Sequence, residues 1–277
     1  MSASGSFPRT TLPVGLACFA VSVGWLALQV GGEAAAALGP HAALVVAELC
    51  LVAPALLALT PFGIPFRRGL ALVRITPRAA VLTLLAGAAL WACAIGLVSL
   101  QQALWPPPPG HAELFDKLYE SMRPRGPLEA LLSFAAMALV PAACEEALFR
   151  GTLLPALLTR FRPAAAVALA AALFAFVHLA PTQDGGVTTY QMPQALLVGL
   201  ALGTLRVRSG SLLPGIVAHT LYNATTFALA MAAPSFGELG PFQSLGMLLG
   251  GGAVLAFVLN RFPREPAEPP SLLDSIP

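Results

Sequence analysis

The sequence has very little charge, and this scarcity excludes an ordinary soluble domain. Of its 277 residues, 10% are charged and 57% are hydrophobic, whereas roughly a quarter of the residues of a soluble domain carry charge. Nearly all the basic residues are arginine and alanine is abundant, which is typical of a bacterial protein encoded by GC-rich DNA. The formal net charge is only +2, and nucleic acid is not an expected partner.

Cysteine is also scarce, which argues against a disulfide framework or a cysteine metal site. All four cysteines fall within apolar stretches and none forms a C-x-x-C pair: Cys18, Cys50, Cys93 and Cys144. Isolated cysteines in such surroundings behave as small apolar packing residues. No repeat of about 20 to 50 residues is recognisable. We therefore expect one integral membrane domain over residues 1–263, followed by a disordered cytoplasmic tail over residues 264–277.

Long apolar runs are what the sequence has in abundance. A run of about 17 to 25 residues can cross a bilayer as a helix. Eight stretches qualify: Leu12–Val30, Ala42–Thr60, Ala79–Leu100, a span within Pro127–Leu158, Pro163–Ala180, Gln194–Val207, Leu212–Ala233 and Phe242–Asn260. The first is long for a cleaved signal peptide and is taken as a span. The pattern predicts an all-α fold, a polytopic membrane bundle of about eight transmembrane helices.

The placement of the basic residues predicts the orientation of the chain. With the amino terminus inside, all but three of the 15 Lys and Arg residues lie in inner connections, and the outer side receives Lys117, Arg123 and Arg125. Basic residues are enriched in cytoplasmic loops. We therefore expect a multi-pass protein of the cell inner membrane, in contact with membrane lipid, with both termini in the cytoplasm.

The longest outer connection is Gln101–Gly126. It opens with the stiff spacer Pro106–Pro109 and continues as HAELFDKLYESM. The apolar residues of this segment share one helical face: Leu114, Phe115, Leu118, Tyr119 and Met122. This pattern predicts an amphipathic helix on the membrane surface or against the bundle. A connector helix is favoured over a substrate lid.

A few polar side chains fall inside the apolar spans, where they are costly and usually functional. They are Glu48, Glu145, Glu146, Arg150, His178, His219 and Asn223. Glu146 and Arg150 lie four residues apart and can pair, while Glu145 points about 100° away from Glu146 on a helix. Glu48 has no patterned partner and is interpreted as a polar packing residue.

Two further pairs have the same four-residue spacing on later spans: Phe174 with His178, and His219 with Asn223. Each pair by itself is equally typical of helix packing. Three pairs on three spans favour a shared site instead. In a dry cavity, a glutamate and a histidine can deprotonate water, and a histidine with an amide can stabilise an oxyanion.

These residues, read in order as E-E-x-x-x-R, F-x-x-x-H and H-x-x-x-N, resemble the three motifs of the CPBP family. This family comprises intramembrane proteases that include CAAX prenyl endopeptidases and bacteriocin-processing enzymes. The resemblance covers residues 136–226, and no motif position departs from the pattern. It implies an intramembrane endopeptidase that hydrolyses a peptide bond of a membrane-associated protein or peptide.

The resemblance also implies a role for each motif residue. Glu145 would be the general base and His178 would help it to activate water. Arg150 would hold Glu146, whereas His219 and Asn223 would stabilise the tetrahedral oxyanion. Phe174 would be a packing residue of its motif.

Several alternatives stay open at the level of sequence. Glu145, His178 and His219 can supply three zinc ligands, but no H-E-x-x-H spacing is present and a metal-free glutamate mechanism is favoured. A proton-coupled transporter would need inverted internal symmetry, which is not recognisable. A non-catalytic membrane partner of a signalling complex would tolerate loss of motif residues. The substrate can be a leader peptide, a carboxy-terminal anchor of an exported protein, a prenylated tail or a peptide signal.

The depth of the site in the bilayer follows from helix geometry. At about 1.5 Å per residue, Glu145, His178 and Asn223 lie roughly 22 to 24 Å from the basic residues at the cytoplasmic helix ends. That distance is past the midplane of a core about 30 Å thick. We therefore expect water and substrate to enter from the extracytoplasmic side, beneath the connections Gln101–Gly126 and Pro181–Pro193.

Overall fold

The computed structural model describes residues 11–181, 187–232 and 239–263. The predicted tail at residues 264–277 lies outside the described residues. The first half of the described chain forms α1 (Val14–Ala35), α2 (Pro40–Leu59), α3 (Phe66–Gly69), α4 (Pro77–Leu104) and α5 (His111–Ser121), with short 3₁₀ turns at Ala36–Leu38 and Thr60–Phe62.

The second half contains one long helical run and four further helices. The run comprises α6 (Pro127–Phe134), a π-helical segment at Ala135–Leu139, α7 (Val140–Glu146), a second π-helical segment at Ala147–Leu153 and α8 (Leu154–Leu158). It is followed by α9 (Pro163–Phe176), α10 (Met192–Ser209), α11 (Leu213–Ala232) and α12 (Pro241–Arg261). Between α9 and α10, β1 (Ala180–Pro181) pairs antiparallel with β2 (Val187–Thr188).

Proline marks the beginnings of several helices. Pro40, Pro77, Pro127, Pro163 and Pro241 each occupy the first position of a helix. The lost N–H is harmless there, and the fixed φ of proline suits the first turn. These prolines therefore determine where the separate apolar helices begin, through their effect on the first turn alone.

The helices have the lengths and surfaces of a membrane bundle, which confirms the predicted fold class. Within the part of the chain that the structure describes, five helical segments are long and apolar enough to span a bilayer: Val14–Leu38, Pro40–Phe62, Pro77–Leu104, Pro127–Leu158 and Pro241–Arg261. Helix α9 is equally apolar but shorter. Large apolar side chains such as Phe19, Leu57 and Leu249 are more than half exposed, as expected of lipid-facing positions. The count of eight spans remains a prediction.

Small residues allow the helices to approach closely. A Cβ atom added to Gly24 of α1 would lie 2.2 Å from the carbonyl oxygen of Leu51 in α2, and one added to Gly96 of α4 would lie 2.4 Å from the backbone nitrogen of Leu248 in α12. Glycine at such positions permits direct backbone contact, the usual way in which helices pack in membranes.

The two π-helical segments have a common local cause. Each ends two residues before a proline, Pro141 in the first case and Pro155 in the second. A proline inside a helix removes one backbone donor and its ring presses on the preceding turn, and a wider turn relieves that pressure. The helical run continues through Pro155, so α7 and α8 belong to one unbroken helical run. The glutamate pair therefore stands between two such segments, which are frequent at functional sites.

Candidate active site

The centre of the site is a buried ion pair. Nη1 of Arg150 donates to Oε1 of Glu146 at 2.6 Å, and the two side chains are 2% and 0% exposed. The pairing predicted from the four-residue spacing is therefore present. It persists although the intervening residues are wound as a π-helix and not as the regular α-helix expected from the sequence.

Arg150 also connects its helix to two others. Its Nη2 donates to the carbonyl oxygen of Gly199 in α10 at 3.3 Å. Its guanidinium lies 4.4 Å from the centre of the Phe174 ring in α9, close enough for a cation–π interaction. The arginine therefore holds three helices at one level, and Phe174 has the packing role that its motif suggests.

Glycine leaves the room that Glu146 occupies. A Cβ atom added to Gly215 of α11 would lie 2.6 Å from Oε2 of Glu146. That oxygen is buried and has no hydrogen-bond partner among the described residues. The position of the carboxylate is thus determined by Arg150 on one side and by the absence of a side chain at Gly215 on the other.

His219 lies between the two glutamates. Its Nδ1 is 3.3 Å from Oε1 of Glu146, and its Nε2 is 3.7 Å from Oε2 of Glu145. Because an ionised carboxylate only accepts hydrogen bonds, Nδ1 donates to Glu146 and Nε2 is directed towards Glu145. Two motifs that are 73 residues apart in sequence are thereby joined.

The tautomer of neutral His178 is determined by a backbone contact. Its Nδ1 lies 2.7 Å from the carbonyl oxygen of Phe174. Since a carbonyl only accepts, Nδ1 carries the proton and Nε2 keeps a free lone pair. The ring also packs on Phe174, with the ring centres 4.6 Å apart. His178 thus presents a proton acceptor in a set orientation.

The remaining motif groups meet in one cavity of about 210 Å³. Glu145, His178, His219 and Asn223 all line it, whereas Glu146 and Arg150 do not. The Glu145 side chain is 15% exposed, and that of Glu146 is fully buried. The two adjacent glutamates therefore differ in position: one faces the cavity, and its neighbour supports the wall.

The helix in the outer connection closes this cavity on one side. Tyr119 of α5 lines the cavity and packs against Phe227 of α11, with the ring centres 6.2 Å apart. Burial raises the pKa of Tyr119, and the charge of Asp116 adds to the effect, so its hydroxyl stays neutral near pH 7. The amphipathic helix predicted from sequence is present at His111–Ser121. It contributes a side chain to the cavity, which goes beyond the favoured interpretation as a connector.

The sequence pattern does not identify several other polar residues of the cavity, among them two glutamines and a tyrosine. Gln191 and Gln194 line it from the start of α10, and Tyr222 lines it beside Asn223. Nε2 of Gln194 donates to the hydroxyl of Tyr222. Their signal was weak, because polar residues at a helix start are common and Tyr222 belongs to no spaced pair.

Glu48 was interpreted as an isolated packing residue, yet it lies near the site. It belongs to α2, which packs against α7, and its carboxyl group lies close enough to that of Glu145 for the two to interact electrostatically. Its Oε2 atom is buried without a hydrogen-bond partner among the described residues. Only the packing of α2 against α7 makes these two carboxylates neighbours.

The zinc alternative gains no support from the arrangement of donors. Across residues 11–181, 187–232 and 239–263, no group of three His, Cys, Asp or Glu side chains is arranged to hold a metal ion. Glu145, His178 and His219 line the cavity together but do not form such a group.

Comparison with known proteins supports the family resemblance. Residues 127–225 match the family described as "Type II CAAX prenyl endopeptidase Rce1-like". The matched region begins at the first residue of α6 and contains all six candidate site residues. No curated protein matches the chain. The chain is thus similar to membrane proteases of the CAAX type over the segment that forms the site.

Proposed function

We propose, from the similarity of residues 127–225 to CAAX-type proteases, that this protein is an intramembrane endopeptidase that uses activated water. Its substrate is a membrane-associated protein or peptide. One observation carries the proposal: Glu145 of α7, His178 in the turn after α9, and His219 and Asn223 of α11 line a single cavity. A carboxylate, two imidazoles and an amide around one small space are suited to acyl transfer to water.

The first step is attack by water on the scissile carbonyl. Glu145 accepts one proton from the water, while the lone pair on Nε2 of His178 orients it by accepting the other hydrogen. The water oxygen forms a bond to the carbonyl carbon, and the carbonyl oxygen becomes an oxyanion. The contact between Nδ1 of His178 and the Phe174 carbonyl supports this role, because it leaves Nε2 as the only acceptor on the neutral ring.

The oxyanion requires donors aimed at its position. We assign these donors to the side-chain amide of Asn223 and to Nε2–H of His219. In this mechanism His219 is doubly protonated, since Nδ1–H is engaged by Glu146 and Nε2 must also donate. Its two ring nitrogens lie 3.3 Å from Oε1 of Glu146 and 3.7 Å from Oε2 of Glu145, so each faces a carboxyl oxygen.

Collapse of the intermediate completes the reaction. The proton held by Glu145 passes to the leaving nitrogen, the C–N bond breaks, and the products are a carboxylic acid and an amine. No covalent bond to the protein forms. Glu146 and Arg150 do not touch the substrate in this mechanism, and they position His219 through their buried pair.

Access is proposed from the side of the cavity that α5 closes, near the start of α10. Tyr119 of α5 and Gln191, at the start of α10, line the cavity, so it lies towards that end of the bundle. With both termini in the cytoplasm of a bacterial cell, this end faces outwards. Processing of an exported protein, for example at a carboxy-terminal anchor or leader, then suits the site better than processing of a cytoplasmic prenylated tail.

The decisive experiment compares membrane-protein termini by mass spectrometry. A deletion strain is complemented with the wild type, with Glu145→Gln, or with Glu33→Gln as a matched control at the exposed end of α1. We expect new termini with the wild type and the control but not with Glu145→Gln, because loss of a general base costs on the order of 10²–10⁴ in rate. Unchanged termini across all strains would contradict a protease.

The same proteins, purified, test the metal question. The proposed mechanism uses no metal, so cleavage of a substrate identified in this way should survive treatment with a strong chelator. Loss of activity that is restored by zinc alone would instead assign ligand roles to Glu145, His178 and His219.

A further inference from the structure

A second cavity opens beside the first. It has a volume of about 220 Å³ and shares three lining residues with the first cavity: Glu145, His178 and Gln191. We propose that it binds one large apolar side chain of the substrate, that of a residue flanking the scissile bond. This inference rests on the proposed function.

The second cavity is lined by apolar side chains except where it adjoins the first cavity. Its walls come from α1, α2, the π-helical segment and the end of α9, and they are apolar: Trp25, Leu28, Leu51, Phe149, Val177 and Leu179. Its polar residues are the three that it shares with the first cavity. When the substrate backbone lies beside the reacting groups Glu145 and His178, an apolar side chain of that backbone can enter this space.

Trp25 is held in place as part of the wall. Its Nε1 donates to the carbonyl oxygen of Val177 at 3.3 Å, which links α1 to the end of α9. The polar atom of the indole is therefore satisfied at the rim, and the ring offers an apolar surface. The wall is thereby attached to the segment that carries His178.

The size of the cavity selects the occupant. An apolar cavity of about 150 Å³ is sufficient to bind benzene, and pockets for drug-sized ligands begin at about 300 Å³. A space of about 220 Å³ therefore fits one aromatic or large aliphatic side chain and is small for a long lipid chain. Adjacent Cα atoms are only about 3.8 Å apart, so a residue flanking the scissile bond can reach it.

The test uses the full chain in detergent with quenched fluorescent peptides. The peptides differ only in the residues on either side of one bond, which are Gly, Ala, Leu, Phe or Trp. Leu28→Trp fills the second cavity, and Leu28→Ala enlarges it. Leu26→Trp is the matched control, since Leu26 lies on the same helix but is 58% exposed on its outer surface.

We expect the wild type to cleave Leu and Phe peptides about tenfold faster than Ala peptides, measured as kcat/KM, because a hydrophobic pocket discriminates by roughly 10- to 200-fold per methylene group. Leu28→Trp should abolish this preference, Leu28→Ala should shift it towards Trp, and Leu26→Trp should preserve it. Two outcomes would overturn the proposal: an equal fall in kcat/KM on every peptide, or an unchanged preference in both Leu28 variants. Either would mean that the second cavity holds lipid or serves only the fold, and does not bind a substrate side chain. Absence of Glu145-dependent cleavage of any peptide would instead overturn the proposed function and this inference together.

Discussion

At the scale of single residues, the buried Glu146–Arg150 pair carries the largest energetic consequence. Replacing Arg150 with Ala leaves the carboxylate of Glu146 buried beside His219 alone. Removal of one partner of such a pair typically destabilises by about 3–5 kcal/mol. We therefore expect Arg150→Ala to lower both the thermal midpoint in detergent and the activity.

Arg123→Ala is the control for this prediction. Arg123 pairs with Glu120 at 2.7 Å, but both side chains are exposed, and an exposed pair contributes about 0–1 kcal/mol. Loss of activity by Arg150→Ala at an unchanged midpoint would contradict the structural role and indicate direct contact with substrate.

Gly215 provides a second test at this scale. In Gly215→Ala the new methyl group would meet Oε2 of Glu146 at 2.6 Å, which forces the carboxylate away from His219. Overpacking of this kind costs about 1–3 kcal/mol, and we expect cleavage to fall by at least about tenfold, the equivalent of 1.4 kcal/mol. Thermal unfolding and peptide cleavage measure the two effects.

Gly246→Ala is the matched control, because an added Cβ there meets open space on α12. Alanine in a helix is favoured over glycine by roughly 0.5–1 kcal/mol, so this variant should be as stable as the wild type or slightly more so. If both variants behaved alike, the close contact at Gly215 would have no functional consequence.

At the scale of elements, α5 is held over the site by aromatic contacts that include a histidine. The ring of His111 lies 4.9 Å from that of Tyr190, between centres, and 5.1 Å from that of Phe115. The side-chain amide of Gln101 donates to the carbonyl of Tyr190 at 2.8 Å. The first residue of α5 is thus packed against Tyr190, just before α10, and Tyr119 near the other end of α5 lines the cavity.

Burial lowers the pKa of His111 below its ordinary value of 6.5. The released helix therefore binds a proton more readily than the docked helix, so docking is fully stable above about pH 6.5 and weakens as the pH falls below it. Burial raises the pKa of Tyr190, so that residue stays neutral in this window.

We expect faster hydrogen exchange of His111–Ser121 at pH 5.5 than at pH 7.5, after correction for intrinsic rates. His111→Phe should remove the difference, and persistence of the difference in that variant would exclude His111 as its cause.

At the scale of the whole molecule, orientation decides which substrates can reach the site. The exposed residues Thr189 and Thr159 lie in connections at opposite ends of the bundle. In a variant without the four native cysteines, an impermeant thiol reagent on right-side-out cells should label Thr189→Cys and not Thr159→Cys. The reverse pattern would overturn both the orientation and the proposed route of access.

The variant that lacks all four native cysteines, before Thr189→Cys or Thr159→Cys is added, is the control for this labelling. All four cysteines are intermediate in exposure or buried within the bundle, and the cysteine-free variant should give no signal. Its peptide cleavage should match the wild type, which also tests whether Cys144, adjacent to Glu145, has any role in the reaction.

The sequence by itself determined the membrane bundle and the identity of the motif groups. Hydropathy and run length are local properties, so the apolar helices followed from them, as did the amphipathic helix at His111–Ser121. The pairing of Glu146 with Arg150 also followed, because both residues belong to one helical run. The number of spans did not follow, since α9 is shorter than a typical span.

Only the tertiary structure decided how these groups are arranged around one another. The approach of α7 and α11 joins His219 to both glutamates, and the packing of α2 against α7 brings Glu48 near Glu145. The polar residues of α10, the closure by α5 and the second cavity likewise depend on which helices become neighbours. Helical periodicity specifies the face on which a residue lies, but the partner of that face is set by close packing between segments distant in sequence.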